Sequence, residues 1–176
     1  ITDSAGCVNQ NLISSQDIYA NPIPDINISV APNPICVGDN ATLLFSAPDG
    51  TSPYIVDYLV GGTPASINIT GAGGNLPVSP TTTTTYTLNF VTDSKGCTSN
   101  LTDNATLIVN ELPQVTLTSP AETCDGDVIQ LQFNFTAGAA PWMINYDVNG
   151  NPPTIIPINN AIDSIAISPS ATTTYT

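Results

Sequence analysis

An all-β fold of repeated sandwich domains is predicted by three observations. Apolar and polar residues alternate at period two, Gly, Asn and Pro punctuate the short runs, and one block of motifs recurs along the chain. Pro53-Tyr54-Ile55-Val56-Asp57-Tyr58 aligns with Pro141-Trp142-Met143-Ile144-Asn145-Tyr146, and Ile35-Cys36-Val37-Gly38-Asp39 with Thr123-Cys124-Asp125-Gly126-Asp127, both at an offset of 88 (141 − 53 and 124 − 36). Ser79-Pro80 through Thr87 matches Ser168-Pro169 through Thr176 at 89. Ile1-Thr2-Asp3-Ser4-Ala5-Gly6-Cys7 matches Val91-Thr92-Asp93-Ser94-Lys95-Gly96-Cys97 at 90. This period predicts residues 1–21 as the tail of one repeat, 22–110 as a complete repeat, and 111–176 as a repeat truncated before its last strands. A sandwich without its final hairpin exposes core and an unpaired edge, so the natural chain is expected to continue in both directions.

Within the complete repeat the strands follow in order. Ile26, Ile28 and Val30 alternate with polar partners, then Ala41, Leu43 and Phe45, then Tyr54, Val56 and Tyr58, then Tyr86, Leu88 and Phe90, and last Ala105, Leu107 and Val109. In the next repeat Ile129, Leu131, Phe133 and Phe135 face one way, and Gln130, Gln132 and Asn134 the other. Turn residues fill the gaps, as in Ala47-Pro48-Asp49-Gly50 and Gly71-Ala72-Gly73-Gly74-Asn75. About seven strands in about 88 residues imply an immunoglobulin-like β-sandwich. Tyr86 and Tyr175 open strands after Thr runs, where that fold often places a corner tyrosine, and Trp142 falls on the third strand, where it buries a large aromatic; all three are expected in the core. The junctions Ala20–Asp25 and Asn110–Gln114 are short and contain proline, which favours a rod over a flexible string.

Composition bounds the function. The 176 residues carry one Lys, no Arg, no His and 14 acidic residues, a net charge of −13. Nucleic acid is excluded as a partner, because phosphate binding needs clustered Lys and Arg. No apolar stretch reaches the roughly 20 residues of a membrane helix, so direct membrane insertion is not expected. Nucleophilic catalysis lacks a His base and a Gly-x-Ser-x-Gly elbow, and the segment is read as non-enzymatic. Asp39, Asp49, Asp57, Asp93, Asp125 and Asp127 could supply oxygen ligands to calcium, but none forms an Asp-x-Asp-x-Asp-Gly loop, and solvated turns explain them. No cofactor is expected.

The combination of Cys-x-Gly before the second strand, Ser-Pro-(Thr)n-Tyr-Thr, and Val-Thr-Asp-Ser-Lys-Gly-Cys near the repeat's end resembles the PKD-like and immunoglobulin-like repeats of giant Bacteroidota surface proteins, including gliding-motility adhesins of the SprB type. The resemblance covers the whole chain. It implies export by the type IX secretion system to the outer surface of a Gram-negative cell, with the repeats as a stalk. The implied partners are neighbouring repeats, plus an adhesive tip and anchoring machinery outside this segment. It also makes Ser4 in Asp3-Ser4-Ala5 and Ser164 in Asp163-Ser164-Ile165 candidate O-glycosylation acceptors.

Each repeat has one cysteine before the second strand (Cys36, Cys124) and one in the last hairpin (Cys7, Cys97). With no Cys-x-x-Cys or His, metal ligation is set aside and disulfide formation in an oxidising compartment is expected. Immunoglobulin topology puts Cys36 and Cys97 at opposite ends of one sandwich, about 25 Å apart, against the roughly 4.4–6.8 Å between Cα atoms a disulfide tolerates. Two pairings stay open: a staple from the first cysteine of one repeat to the hairpin cysteine of the next, or a Cys36–Cys97 bond under an altered strand order. For function, the leading expectation is a stiff extracellular stalk. The alternative is a glycan-binding or spacer module of a secreted polysaccharide-degrading enzyme, which would show a row of exposed aromatics.

Overall fold

The structure, a computed structural model, describes residues 2–8 and 15–176; of the 1–21 tail, Ile1 and residues 9–14 lie outside the described residues. It is all-β. The first unit comprises β1 (Asp25–Ala31), β2 (Ile35–Cys36), β3 (Ala41–Asp49), β4 (Tyr54–Val60), β5 (Thr63–Ile69), β6 (Gly73–Val78), β7 (Thr84–Asp93), β8 (Thr98–Asn100), β9 (Asn104–Leu107) and β10 (Val109–Asn110). One sheet runs β1-β3-β6, and the other runs β5-β4-β7 with β8 and β9 both paired to β7. The short parallel pair β2–β10 closes one end. This is an immunoglobulin-like sandwich in which β5, the strand that follows β4, stays with the β4–β7 sheet and does not cross to the sheet of β1 and β3.

Period-two patterning explains which face each strand buries. Along β3, Ala41, Leu43, Phe45 and Ala47 are buried, while Leu44, Ser46 and Pro48 face water. Tyr54, Val56 and Tyr58 do the same from β4, and one continuous core joins both sheets through Ile26, Leu88, Val91 and Leu107. Fully burying a side chain of this size stabilises the fold by about 1.5–3 kcal/mol. Phe45 and Tyr58 meet edge to face across the sandwich, with ring centroids 6.0 Å apart.

One strand departs from simple alternation. The partners of β7 on β4 shift register between Asp57, opposite Phe90, and Tyr58, opposite Leu88, which leaves Asn89 as an extra residue. Tyr86 and Leu88 point inward before this bulge, and Val91 and Asp93 after it. Phe90, expected on the inward set, is therefore only half-buried and Val91 takes the core position. The bulged Asn89 carbonyl accepts the Leu101 N–H at 2.9 Å.

Strand registers fix where the chain arrives and leaves. Asp25 pairs with Asp49, the last residue of β3, whereas Asn110 pairs with Cys36, which precedes the first residue of β3. Nine residues of β3 span about 26 Å, so the first unit is entered at one end of its long axis and left at the other.

The second unit repeats this plan in part: β11 (Gln114–Thr118), β12 (Ile129–Ala137), β13 (Trp142–Tyr146), β14 (Thr154–Ile158) and β15 (Ile162–Ile167). One sheet is β11-β12-β15 and the other β13-β14. Leu117 faces Phe133 as Ile28 faces Phe45, so residues line up at the offsets read from the sequence. The bridge Val148–Tyr175 repeats the pair Val60–Tyr86 that starts the β4–β7 ladder. Asn149 N–H donates to the Thr174 carbonyl as Gly61 N–H donates to that of Thr85, both at 2.9 Å. Among the described residues, nothing in this unit takes the places of β8, β9 and β10.

Candidate functional site

The chemistry-bearing residues gather at the two ends of the first sandwich and on the open side of the second unit. At the arriving end, Asp93 is buried and organises the hairpin between β7 and β8. Its Oδ1 accepts the N–H groups of Lys95 and Cys97, both at 2.9 Å, and its Oδ2 accepts that of Thr51 at 3.0 Å. Burial by itself would raise the Asp93 carboxyl; the backbone N–H groups of Cys97, Thr51 and Lys95, aided by the Lys95 ammonium, outweigh it and hold the pKa below the ordinary 3.8. The Ser94 hydroxyl donates to the carbonyls of Thr51 (3.0 Å) and Ser52 (2.9 Å), locking this hairpin to the β3–β4 turn. Asp3 rebuilds the same cap in the tail, accepting the N–H groups of Ala5 and Cys7 at 2.9 Å. A carboxylate occupied this way serves turn geometry. Among the described residues no group of three or more acidic or Cys side chains is placed to hold a metal ion.

The linker is gripped at the same end. Gly50 has φ +98, and a Cβ there would lie 2.8 Å from both Cα and Cβ of Pro24 and 2.9 Å from Cε1 of Tyr54. Pro24 itself is fully buried. Gly138 stands at φ +85 with an equivalent Cβ 2.7 Å from Pro113 Cα, so both linker prolines are seated against a turn glycine that leaves no room for a methyl group.

All four cysteines are free thiols, Cys7, Cys36 and Cys124 exposed and Cys97 half-buried. Of the two pairings left open, the Cys36–Cys97 bond is not formed. For Cys36 and Cys97 the reason lies in the registers: Cys36 sits beside Asn110 at the leaving end, and Cys97 in the hairpin at the arriving end, a strand length away. Ser4 lies exposed in a turn and Ser164 lies exposed on β15. Ser94, the counterpart of Ser4 in the complete unit, spends its hydroxyl on the β3–β4 turn.

Of the three aromatics assigned to the core, Tyr86 is buried beside Tyr58, and burial raises both phenols, with the Tyr58 charge adding to the rise at Tyr86. Trp142 is half-buried and stacks on Phe135 at 4.3 Å with a 13° interplanar angle; its Nε1 is buried without a partner. Tyr175 is half-buried, 6.4 Å from the Tyr146 ring.

The second unit shows the exposed core expected of a repeat without its last strands. Val115 and Leu117 of β11 are 47% and 42% exposed, whereas their counterparts Ile26 and Ile28 are 1% and 7%. The difference is β9, which packs on β1 in the first unit. At the end of this open side lies a cleft of about 570 Å³ bordered by Thr123, Asp125, Ile129, Ile167, Thr172 and Tyr175. Serine and threonine residues line it together with Glu122 and Asp125, and no basic residue does.

The class of protein these features define is a chain of immunoglobulin-like β-sandwiches. No protein-family model and no curated protein matches it. Solved structures similar to the chain include the human OSCAR ligand-binding domain, at a TM-score of 0.34 and 16% identity over 85% of this chain and 84% of that one.

Proposed function

We propose that these units are stalk repeats of a long extracellular adhesin or filament, of the gliding and attachment kind that the sequence resembles. The observation that carries this reading is the passage of the chain from one end of the sandwich to the other, with the linker proline seated in the domain it enters. A repeat built so adds its length to a fibre, because each linker is short and its direction is held by packing at Pro24 and Pro113. The acidic surface, with one Lys and no Arg, suits a solvated and mutually repelling shaft.

Placement of the cysteines supports a staple between neighbours. Cys36 stands where the chain leaves its unit, and the hairpin cysteine stands where the chain enters, so the two face the same junction when one repeat follows another. Partners are then neighbouring repeats of the same chain. The disulfide calls for an oxidising compartment and so for the cell surface.

Two experiments test the reading. Non-reducing peptide mapping of a tandem array, one repeat carrying a mass-shifting substitution, is expected to link the Cys36 peptide of one repeat to the hairpin peptide of the next; a link inside one repeat overturns the staple. Antibody raised against residues 22–110 is expected to label intact cells, and labelling only after lysis overturns the surface stalk.

A further inference from the structure

We infer that β5 is a docking edge for β5 of a second copy of this chain, so that two molecules join side by side into one continuous β-sheet about a two-fold axis at Ile67. This goes beyond the stalk reading and does not rest on it, since β5 lies in the interior of the complete repeat. A sheet edge presents unpaired N–H and C=O groups, and proteins blunt such edges with charge, proline, bulges, shortness or a covering element. The first unit does so at its other edges. β9 packs on β1, where Asp103 accepts the outward Ile28 N–H at 3.1 Å; β6 holds Pro77 and β8 has only three residues. β5 is the terminal strand of its sheet, has seven uncharged residues, and pairs with β4 from Thr63 to Ile69 without a register shift.

One residue tells which backbone groups of β5 face outward. Pro64 has no N–H, so its pair with Leu59 is a non-hydrogen-bonded one. Alternation along the antiparallel ladder then makes Asp57–Ser66 and Ile55–Asn68 non-hydrogen-bonded as well. The N–H and C=O groups of Ser66 and Asn68 therefore point away from β4, into the open edge.

Charge and apolar surface say what can approach that edge. With a net charge of −13, a second copy of the chain is repelled over most of its surface. Residues 58–92, which include β5 and β6, contain no charged residue. Along this side Ala65 and Ile67 of β5 and Leu76 and Val78 of β6 pack against the core and are only half-buried, so the core reaches the surface in a seam between the two sheets. A like-charged copy can come close here and cover apolar surface as it does so. The counterpart of β5 in the second unit is β14, which has Pro157 where β5 has Asn68 and so lacks that outward donor. The docking edge belongs to the first unit.

One register satisfies both copies. With Ser66 opposite Asn68 of the second copy, each N–H donates to the other's carbonyl, and the two-fold axis repeats the exchange. Pro64, which has no donor to offer, falls opposite the exposed Thr70 beyond the end of the strand. Ile67 meets Ile67 of the second copy across a non-hydrogen-bonded pair, with Cα atoms about 4.5 Å apart. The contact is isologous and closes at two copies.

Sedimentation of the whole 176-residue protein tests this first. Pairing of one short edge is a small contact, so the weight-average mass is expected to rise from 18.2 kDa toward twice that value as concentration approaches about 1 mM. Ser66→Pro repeats the device already present at Pro64 and removes an outward donor without touching the β4 ladder. It is expected to weaken association at least about tenfold, because each dimer loses two backbone hydrogen bonds. Ile67→Lys, an inward-pointing charge on an edge strand, is expected to do the same. A protein that stays monomeric up to about 1 mM leaves the edge to some other strand and overturns the inference, as does association unchanged in either variant when circular dichroism shows it folded. Cross-linking tests the register without either variant. With the four cysteines changed to serine, Ile67→Cys is expected to form a disulfide dimer on mild oxidation, its Cα pair lying within the roughly 4.4–6.8 Å a disulfide tolerates. Ala65→Cys, on the same face but about 13 Å from its symmetry mate, is expected to stay monomeric. No dimer from Ile67→Cys, or equal yields from the two, overturns the proposed pairing.

Discussion

Replacing Gly50 with alanine isolates the contact that sets the direction of the linker. Two costs are expected. An alanine held at φ +98 carries backbone strain of about 1–3 kcal/mol. Its Cβ would also lie 2.8 Å from Pro24 Cα, a backbone atom that cannot rotate away, and overpacking of that kind costs a further 1–3 kcal/mol or so. Gly71 is the control, since it has φ +87 and no atom within 4 Å of the point where a Cβ would stand, so Gly71→Ala incurs the strain alone. The difference between the two variants is therefore at least about 1 kcal/mol, or at least about 4 °C in melting temperature for a unit of this size. Far-UV circular dichroism follows both units, while fluorescence of Trp142, the sole tryptophan, follows the second. Gly50→Ala is expected to lower the first unit's midpoint well below that of Gly71→Ala and to leave the Trp142 midpoint in place. Equal destabilisation by the two alanines would refute the idea that Gly50 seats the linker proline.

Other expectations follow from single residues. Because the Asp93 pKa is depressed in the fold, its stabilisation is complete above the unfolded value near 3.8 and is lost as pH falls through the lower folded value. Asp93→Asn is thus expected to destabilise most at neutral pH, with the gap to the parent narrowing below about pH 4 in urea titrations; a gap independent of pH would count against a charged cap. Leu107→Ala, which truncates a completely buried side chain linking β9 to β1, is expected to cost about 2–5 kcal/mol by chemical denaturation. Asp103→Ala removes the carboxylate that accepts the Ile28 N–H at 3.1 Å across the sandwich; the orphaned donor predicts a loss of about 1–3 kcal/mol and faster amide exchange at Ile28.

Much of the fold was legible because its determinants are local. Alternation in Ala41-x-Leu43-x-Phe45 and Tyr54-x-Val56-x-Tyr58 marks strands with one wet face, and the structure buries these residues together. The bulge at Asn89 was not legible, since nothing in Leu88-Asn89-Phe90-Val91 says which apolar neighbour turns inward; the Leu101 and Asp103 backbone contacts across the hairpin decide it. Asp103 is likewise a long-range effect, joining residues 75 positions apart. The caps of Asp3 and Asp93 carried a usable signal, the repeated Asp-Ser-x-Gly-Cys, whose aspartate precedes two N–H groups within reach of its own carboxylate. The exposed core of the second unit was legible from its missing last strands, while the residues that carry it, Val115 and Leu117 against the buried Ile26 and Ile28, came from the structure.

End-to-end growth of the stalk is tested most directly by small-angle scattering from arrays of two, four and six copies of residues 22–110. The account predicts a constant cross-section and a maximum dimension that increases linearly, by on the order of 30–40 Å per repeat. A radius of gyration growing only as the square root of repeat number, the signature of freely jointed beads, would contradict it.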